Sequence, residues 1–179
     1  IPGLDPAVVP HAWQAGPQTL ALKGLVQSVP AGGTFLMSIP KAPYRCPPGP
    51  YERACLVADT LLRNRRAGKV IVLDANPDVV AEPHTFHTAF QTTYASVIEY
   101  HPSTTVDSVD WANKTINTNW GPIRVDAANI IPGQRAGKVV ASAGLLGREI
   151  NKLHYGKSFF VCNKPNQSQS FIGWFLGEL

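Results

Sequence analysis

The sequence predicts an α/β fold built on a parallel sheet flanked by helices, and three observations predict it. Two short apolar runs, TFLMSI (34–39) and KVIVLDA (69–75), are bounded by glycine or proline, as strands buried on both faces of a parallel sheet are. Between them lies a segment with apolar residues at helical spacing, which supplies the crossover that a parallel pair requires. Asp74 stands at the carboxyl end of the second run, where open α/β sheets place their polar, site-forming side chains.

Residues 1–16, IPGLDPAVVPHAWQAG, are rich in proline and glycine and read as a connecting segment. Gly16-Pro17 starts a helix whose apolar face is Leu20, Leu22, Leu25, Val26 and Val29, ending at Pro30. Ala31-Gly32-Gly33 turns the chain into the first strand. After it comes a proline-dense turn, YRCPPGPYERA (44–54), and Pro50 suits the first position of a helix running to Arg66. Ala54, Cys55, Ala58, Leu61 and Leu62 share one face of that helix. Glu52 falls in its first turn and the arginines in its last, as the helix dipole favours. Gly68 then leads into strand 69–75. Strand, turn, helix and strand make a βαβ unit of the dinucleotide-binding, Rossmann-like type.

Further on, Phe86, Phe90, Thr93, Tyr94 and Val97 repeat at helical spacing, followed by a short strand at 97–101. From 104 to 120 the period becomes two. Val106, Val109 and Trp111 are answered by Ile116, Asn117 and Thr118 across Ala112-Asn113-Lys114, a β-hairpin inserted as a meander. Gly121-Pro122 turns again, and IRVDAANII (123–131) reads as the last strand. The organisation expected is a connecting segment and helix over 1–30, a Rossmann-like domain over 31–128, a return segment over 129–145 and a tail of different character over 146–179.

Composition bounds the function. With 44% apolar and 16% charged residues in 179, the chain is globular and lightly charged, and its net charge is only +4. Arg63, Arg65 and Arg66 form its densest basic cluster, which is no stripe for nucleic acid. No apolar run approaches the ~20 residues of a membrane span. Ile1-Pro2-Gly3 carries neither a start Met nor a leader, so the chain reads as a mature or internal piece. Three cysteines, Cys46, Cys55 and Cys162, have no metal-type spacing, and neither have His11, His84, His87, His101 and His154.

The chemistry concentrates in the proline turn. A phosphate-cradling loop needs glycines and free N–H groups, whereas Pro47, Pro48 and Pro50 remove three donors. The turn offers Cys46 instead, beside Arg45 and ahead of a helix. It reads either as a small loop residue or as a presented thiol whose thiolate the setting favours. Glu52 reads either as an ordinary first-turn acid or as a proton-transfer group. Cys55 sits on the apolar face and reads as core. Asp74 would hold a ribose in a nucleotide-binding protein; without the glycines it reads as part of a structural network. Asn113-Lys114-Thr115 and Asn166-Gln167-Ser168 match the glycosylation triplet, which matters only in a eukaryotic secretory setting.

Three blocks carry a family resemblance: 9–34, VPHAWQAGPQTLALKGLVQSVPAGGT; 43–61, PYRCPPGPYERACLVADTL, with KVIVLDAN at 69–76; and 128–145, ANIIPGQRAGKVVASAGL. The chain resembles the middle of the flavoprotein subunit of flavocytochrome c sulfide dehydrogenase, a relative of sulfide:quinone reductases. The resemblance implies the Rossmann-like second, NAD-type domain of a flavoprotein with two dinucleotide-binding domains. It implies a periplasmic sulfide-oxidising enzyme, with a covalently bound FAD passing electrons to a c-type haem subunit. Cys46 would be half of a redox-active disulfide whose other cysteine lies far downstream, and Glu52 the proton acceptor. Pro132 and Gln134, on the segment returning to the flavin domain, would lie near the cofactor. The family's amino-terminal GxGxxG unit, its flavin-attaching cysteine and its carboxyl third have no counterpart in these residues. Alone, the chain is therefore expected to be inactive and to hold no FAD. The alternatives are a non-catalytic Rossmann-like interaction module and an FAD/NAD-dependent disulfide reductase.

Overall fold

The strands and helices follow largely from where apolar residues and glycines fall. The computed structural model describes residues 1–134 together with Ser142. Most of the small-residue run after Gln134, and the tail with Cys162, lie outside the described residues. The elements are helices α1 (Pro17–Ser28), α2 (Gly49–Arg63) and α3 (Pro83–Thr88), and strands β1 (Thr34–Ile39), β2 (Lys69–Asp74), β3 (Ile98–His101), β4 (Val106–Asp110), β5 (Thr115–Thr118), β6 (Gly121–Arg124) and β7 (Ala127–Ile130). Contacts divide the chain into two units, residues 1–42 with 48–132, and residues 43–47 with 133–179.

The first unit is a mixed α/β body. Its parallel sheet has the order β3-β2-β1-β7, and β4-β5-β6 form a separate antiparallel sheet. Thr34 pairs with Lys69 and Ile39 with Asp74, so β1 and β2 start and end together. Gly33 and Gly68 allow this. A Cβ on Gly68 would lie 2.7 Å from the Gly33 carbonyl oxygen, so only glycine lets the two strands enter side by side.

Alternation along the strands divides the core. Leu36, Leu73, Ala128 and Ile130 pack with Val109, Ile116 and Val125 of the meander, and Val9 joins them from the connecting segment. The opposite face carries Asn129 and Asp74, which bond to α2. Helix α2 buries Tyr51, Ala54, Val57, Ala58 and Leu61. The expected face is thus turned by part of a residue: Cys55 is only half-buried and Leu62 is exposed, because Tyr51 and Val57 take the inward positions. In α1, Leu22 and Val26 are buried with Val29, while Leu20 is exposed.

Three further expectations are corrected. Helix α2 stops at Arg63 rather than Arg66, because Arg65 turns left-handed (φ 50°). The Arg66 and Arg65 N–H groups then bond back to Leu61 and Leu62, a Schellman closure without glycine. The helical pattern of 84–97 is a short α3 followed by a π-helical turn, Ala89–Thr93, in which the Tyr94 N–H reaches the Ala89 carbonyl and shifts the aromatic register. Finally, 123–131 is not one strand. Gly121-Pro122 opens β6, where the proline is tolerated on an edge strand. At Asp126 the chain crosses to the other sheet: its backbone N–H bonds Thr34 O (2.9 Å) and its carboxylate accepts the Thr34 N–H (2.8 Å).

Arg53 of α2, only 3% exposed, fastens the amino-terminal segment to the sheet. Its Nη1 donates to His11 O and Asn129 Oδ1 (2.9 Å each) and its Nη2 to Ala12 O (2.7 Å), while Cζ lies 4.8 Å from the Trp13 ring centre. Arg53→Met takes the side-chain donor from Ala12 O and Asn129 Oδ1 and leaves His11 O only its bond from Asn129 Nδ2, and is expected to cost ~3 kcal/mol, read as a lower urea midpoint.

Candidate functional site

Three groups of residues are candidates for chemistry. The carboxyl edge of the parallel sheet is the first, because that edge is where α/β folds bind ligands. Asp74 is fully buried there. Its Oδ2 accepts from the Tyr51 hydroxyl (2.7 Å) and the Tyr100 hydroxyl (2.9 Å), and its Oδ1 from the Asn76 N–H (2.9 Å) and Nδ2 (2.7 Å). Asn76 also bonds Pro40 O and the Ala42 N–H, and Tyr51 accepts the Val80 N–H. The carboxylate that would take a ribose hydroxyl is occupied by the protein's own donors, and Tyr51 and Phe86 stack beside it with ring centres 5.3 Å apart. Tyr51, Asn76 and Tyr100 were not singled out by the sequence; their signal is a tyrosine at a helix start and another on the neighbouring strand, too common to read.

The second group lies on α2. Glu52 is half-buried, and burial first, then the charge of Glu82, pushes its carboxyl above the usual range. Burial, and next the Glu52 charge, pushes the free Cys55 thiol up to about 11, so it stays protonated at neutral pH. Cys55 is a packing residue that reaches only partway into the core.

The third group belongs to the second unit. Cys46 is half-buried with a left-handed backbone (φ 58°), a conformation rare for a residue with a Cβ. The Tyr44 hydroxyl donates to Pro47 O (3.3 Å) across the turn. The Arg45 N–H donates to Oε1 of Gln134 (2.8 Å), joining residues 89 positions apart. Gln134 Nε2 is buried and meets no hydrogen-bond partner among the described residues. The structure thus brings Gln134 to the Cys46 turn. Glu52 and the half-buried Pro132 lie in the first unit.

Two of the histidines lie in local pairs: His87 Nε2 is 2.7 Å from Asp78 and His101 Nε2 2.8 Å from Glu99. Among the described residues no three His, Cys, Asp or Glu side chains gather as a metal site, and no helix is long and apolar enough to cross a membrane.

Two predictions follow from these groups. Asp74→Ala removes the acceptor of four hydrogen bonds at this edge and is expected to cost on the order of 3–5 kcal/mol in urea denaturation. Glu52, with its folded-state pKa above its unfolded value, binds a proton more tightly when folded. Its contribution is therefore full below the unfolded value near 4.5 and is lost as pH rises through the folded value. Glu52→Gln should raise the melting temperature at neutral pH relative to the parent, with the difference vanishing below about pH 4.

Comparison with known proteins agrees with this architecture. An engineered water-forming NADPH oxidase, solved with NADPH bound, matches with a TM-score of 0.56 at 17% identity, over 80% of this chain and 30% of that one. The likeness shows a Rossmann-like α/β fold, and this chain spans under a third of that enzyme's length. A family model described as the central region of the sulfide dehydrogenase (flavocytochrome c) flavoprotein chain matches residues 19–132. That match takes in β1 through β7, the proline turn and the Asp74 network, well over half of the 179 residues. The chain belongs to this family of flavoprotein oxidoreductases, as a form of its central region.

Proposed function

We propose that this chain is the central part of a periplasmic flavoprotein that oxidises sulfide and passes electrons through FAD to a c-type cytochrome subunit. The observation that carries the reading is the family match, whose residues 19–132 include both Cys46 and Glu52. The residues present fit a flavin: the buried Gln134 Nε2 is a donor in want of an acceptor, and the isoalloxazine rim is lined with carbonyl oxygens and ring nitrogens. Pro132 and Gln134 would lie against it. They do not fit a nicotinamide dinucleotide, since Asp74 is saturated and the turn lacks phosphate-binding N–H groups. This disfavours the disulfide-reductase reading.

Bound FAD supplies an acceptor that takes two electrons and passes them on singly. Cys46 forms half of a disulfide with a second cysteine of the complete protein. Hydrosulfide attacks one sulfur of that bond; the S–S bond breaks, a persulfide forms, and the electron pair leaves with the other cysteine as thiolate. Glu52 takes the proton, a role that a carboxyl with an elevated pKa performs better than an exposed one.

The internally satisfied Asp74 is also what a non-catalytic Rossmann-like module would show, so the test must separate the two. In the complete flavoprotein, Cys46→Ser is expected to abolish sulfide-dependent cytochrome c reduction and leave the flavin absorbance in place. Turnover equal to the parent's would refute the redox role, and a parent protein without flavin would establish the non-catalytic module.

A further inference from the structure

We infer that Gln134 is a bridge: its carbonyl oxygen holds the Cys46 turn, and its amide nitrogen donates to an acceptor on the flavin rim. The inference rests on the flavoprotein reading above. Chemistry fixes the orientation of the amide, because the Arg45 N–H can donate only to the oxygen, which places the NH₂ group on the far side. That group is buried and, among the described residues, has no hydrogen-bond partner. Leaving a buried donor unmade is unfavourable, and native proteins do so rarely. A ligand rich in acceptors completes the bond.

The turn depends on the same side chain. Pro43, Pro47 and Pro48 have no N–H, so between residues 43 and 48 only Tyr44, Arg45 and Cys46 can donate from the backbone. One of those three is committed to Gln134. The next residue, Cys46, stands at φ 58°, a conformation strained for a residue with a Cβ, which its surroundings must sustain. Gln134 therefore acts as a positioning residue: one planar amide sets the cysteine turn and the flavin against each other, and a shift of either is felt by the other.

The test compares Gln134→Glu and Gln134→Leu with the parent in the complete flavoprotein. Glutamate keeps an oxygen for the Arg45 N–H and loses the donor; leucine loses both. Both variants are expected to lower the reduced-to-oxidised flavin ratio about tenfold at a fixed reference-dye potential, ~30 mV for a two-electron couple. After reduction of the protein, iodoacetamide should alkylate Cys46 at the parent rate in Gln134→Glu and at least about threefold faster in Gln134→Leu, where the turn is released. An unchanged flavin ratio in the neutral leucine variant overturns the amide–flavin contact. Equal alkylation rates in all three proteins overturn the hold on the turn. A parent protein that contains no flavin overturns the flavoprotein reading and this inference with it.

Discussion

The buried carboxylate of Asp74 is the constraint on which the carboxyl edge of this domain depends. One side chain at the end of β2 receives hydrogen bonds from α2 through Tyr51, from β3 through Tyr100 and from the following loop through Asn76. Asn76 carries the connection on to Pro40 and Ala42 beyond β1. A buried carboxylate is tolerable only when its lone pairs are filled, and here four donors fill them. The parallel sheet, its crossover helix and the loops at the ligand-binding edge are thereby locked into one network.

That network occupies the position at which a Rossmann-like frame commonly holds the ribose of a dinucleotide. In a dinucleotide site, glycines admit the pyrophosphate and the acid at the end of the second strand takes the ribose. Here prolines close the first position and tyrosines close the second. What the βαβ frame retains is rigidity. In the second unit, the proline-dense cysteine turn has its Arg45 N–H bonded to Gln134.

The parts legible in the sequence were those set by local chemistry. β1 and β2 each follow a glycine and carry an apolar run, Phe35–Met37 and Val70–Leu73, so strand is the element those short spans favour. Pro17 and Pro50 mark helix starts because they tolerate the missing N–H there. The errors fall where tertiary partners choose between local options. Helix α2 ends at a left-handed Arg65 because the chain must turn into β2, a choice that composition does not reveal. The π-helical turn after α3 serves an aromatic cluster in which Phe90 reaches Tyr100, with ring centres 5.6 Å apart. The split of 123–131 is made by Asp126 bonding across to Thr34, 92 residues away in sequence.

By itself the sequence determined the α/β class, the βαβ unit, the absence of a phosphate loop and the cysteine turn, because each is written in residue types over short spans. Only the tertiary structure decided the fate of Asp74, the burial of Arg53 against backbone carbonyls, and the attachment of Gln134 to Arg45. These are hydrogen bonds between residues that are distant along the chain. Their energies arise from desolvation in a packed interior, and no local pattern encodes which donor a buried acceptor will meet.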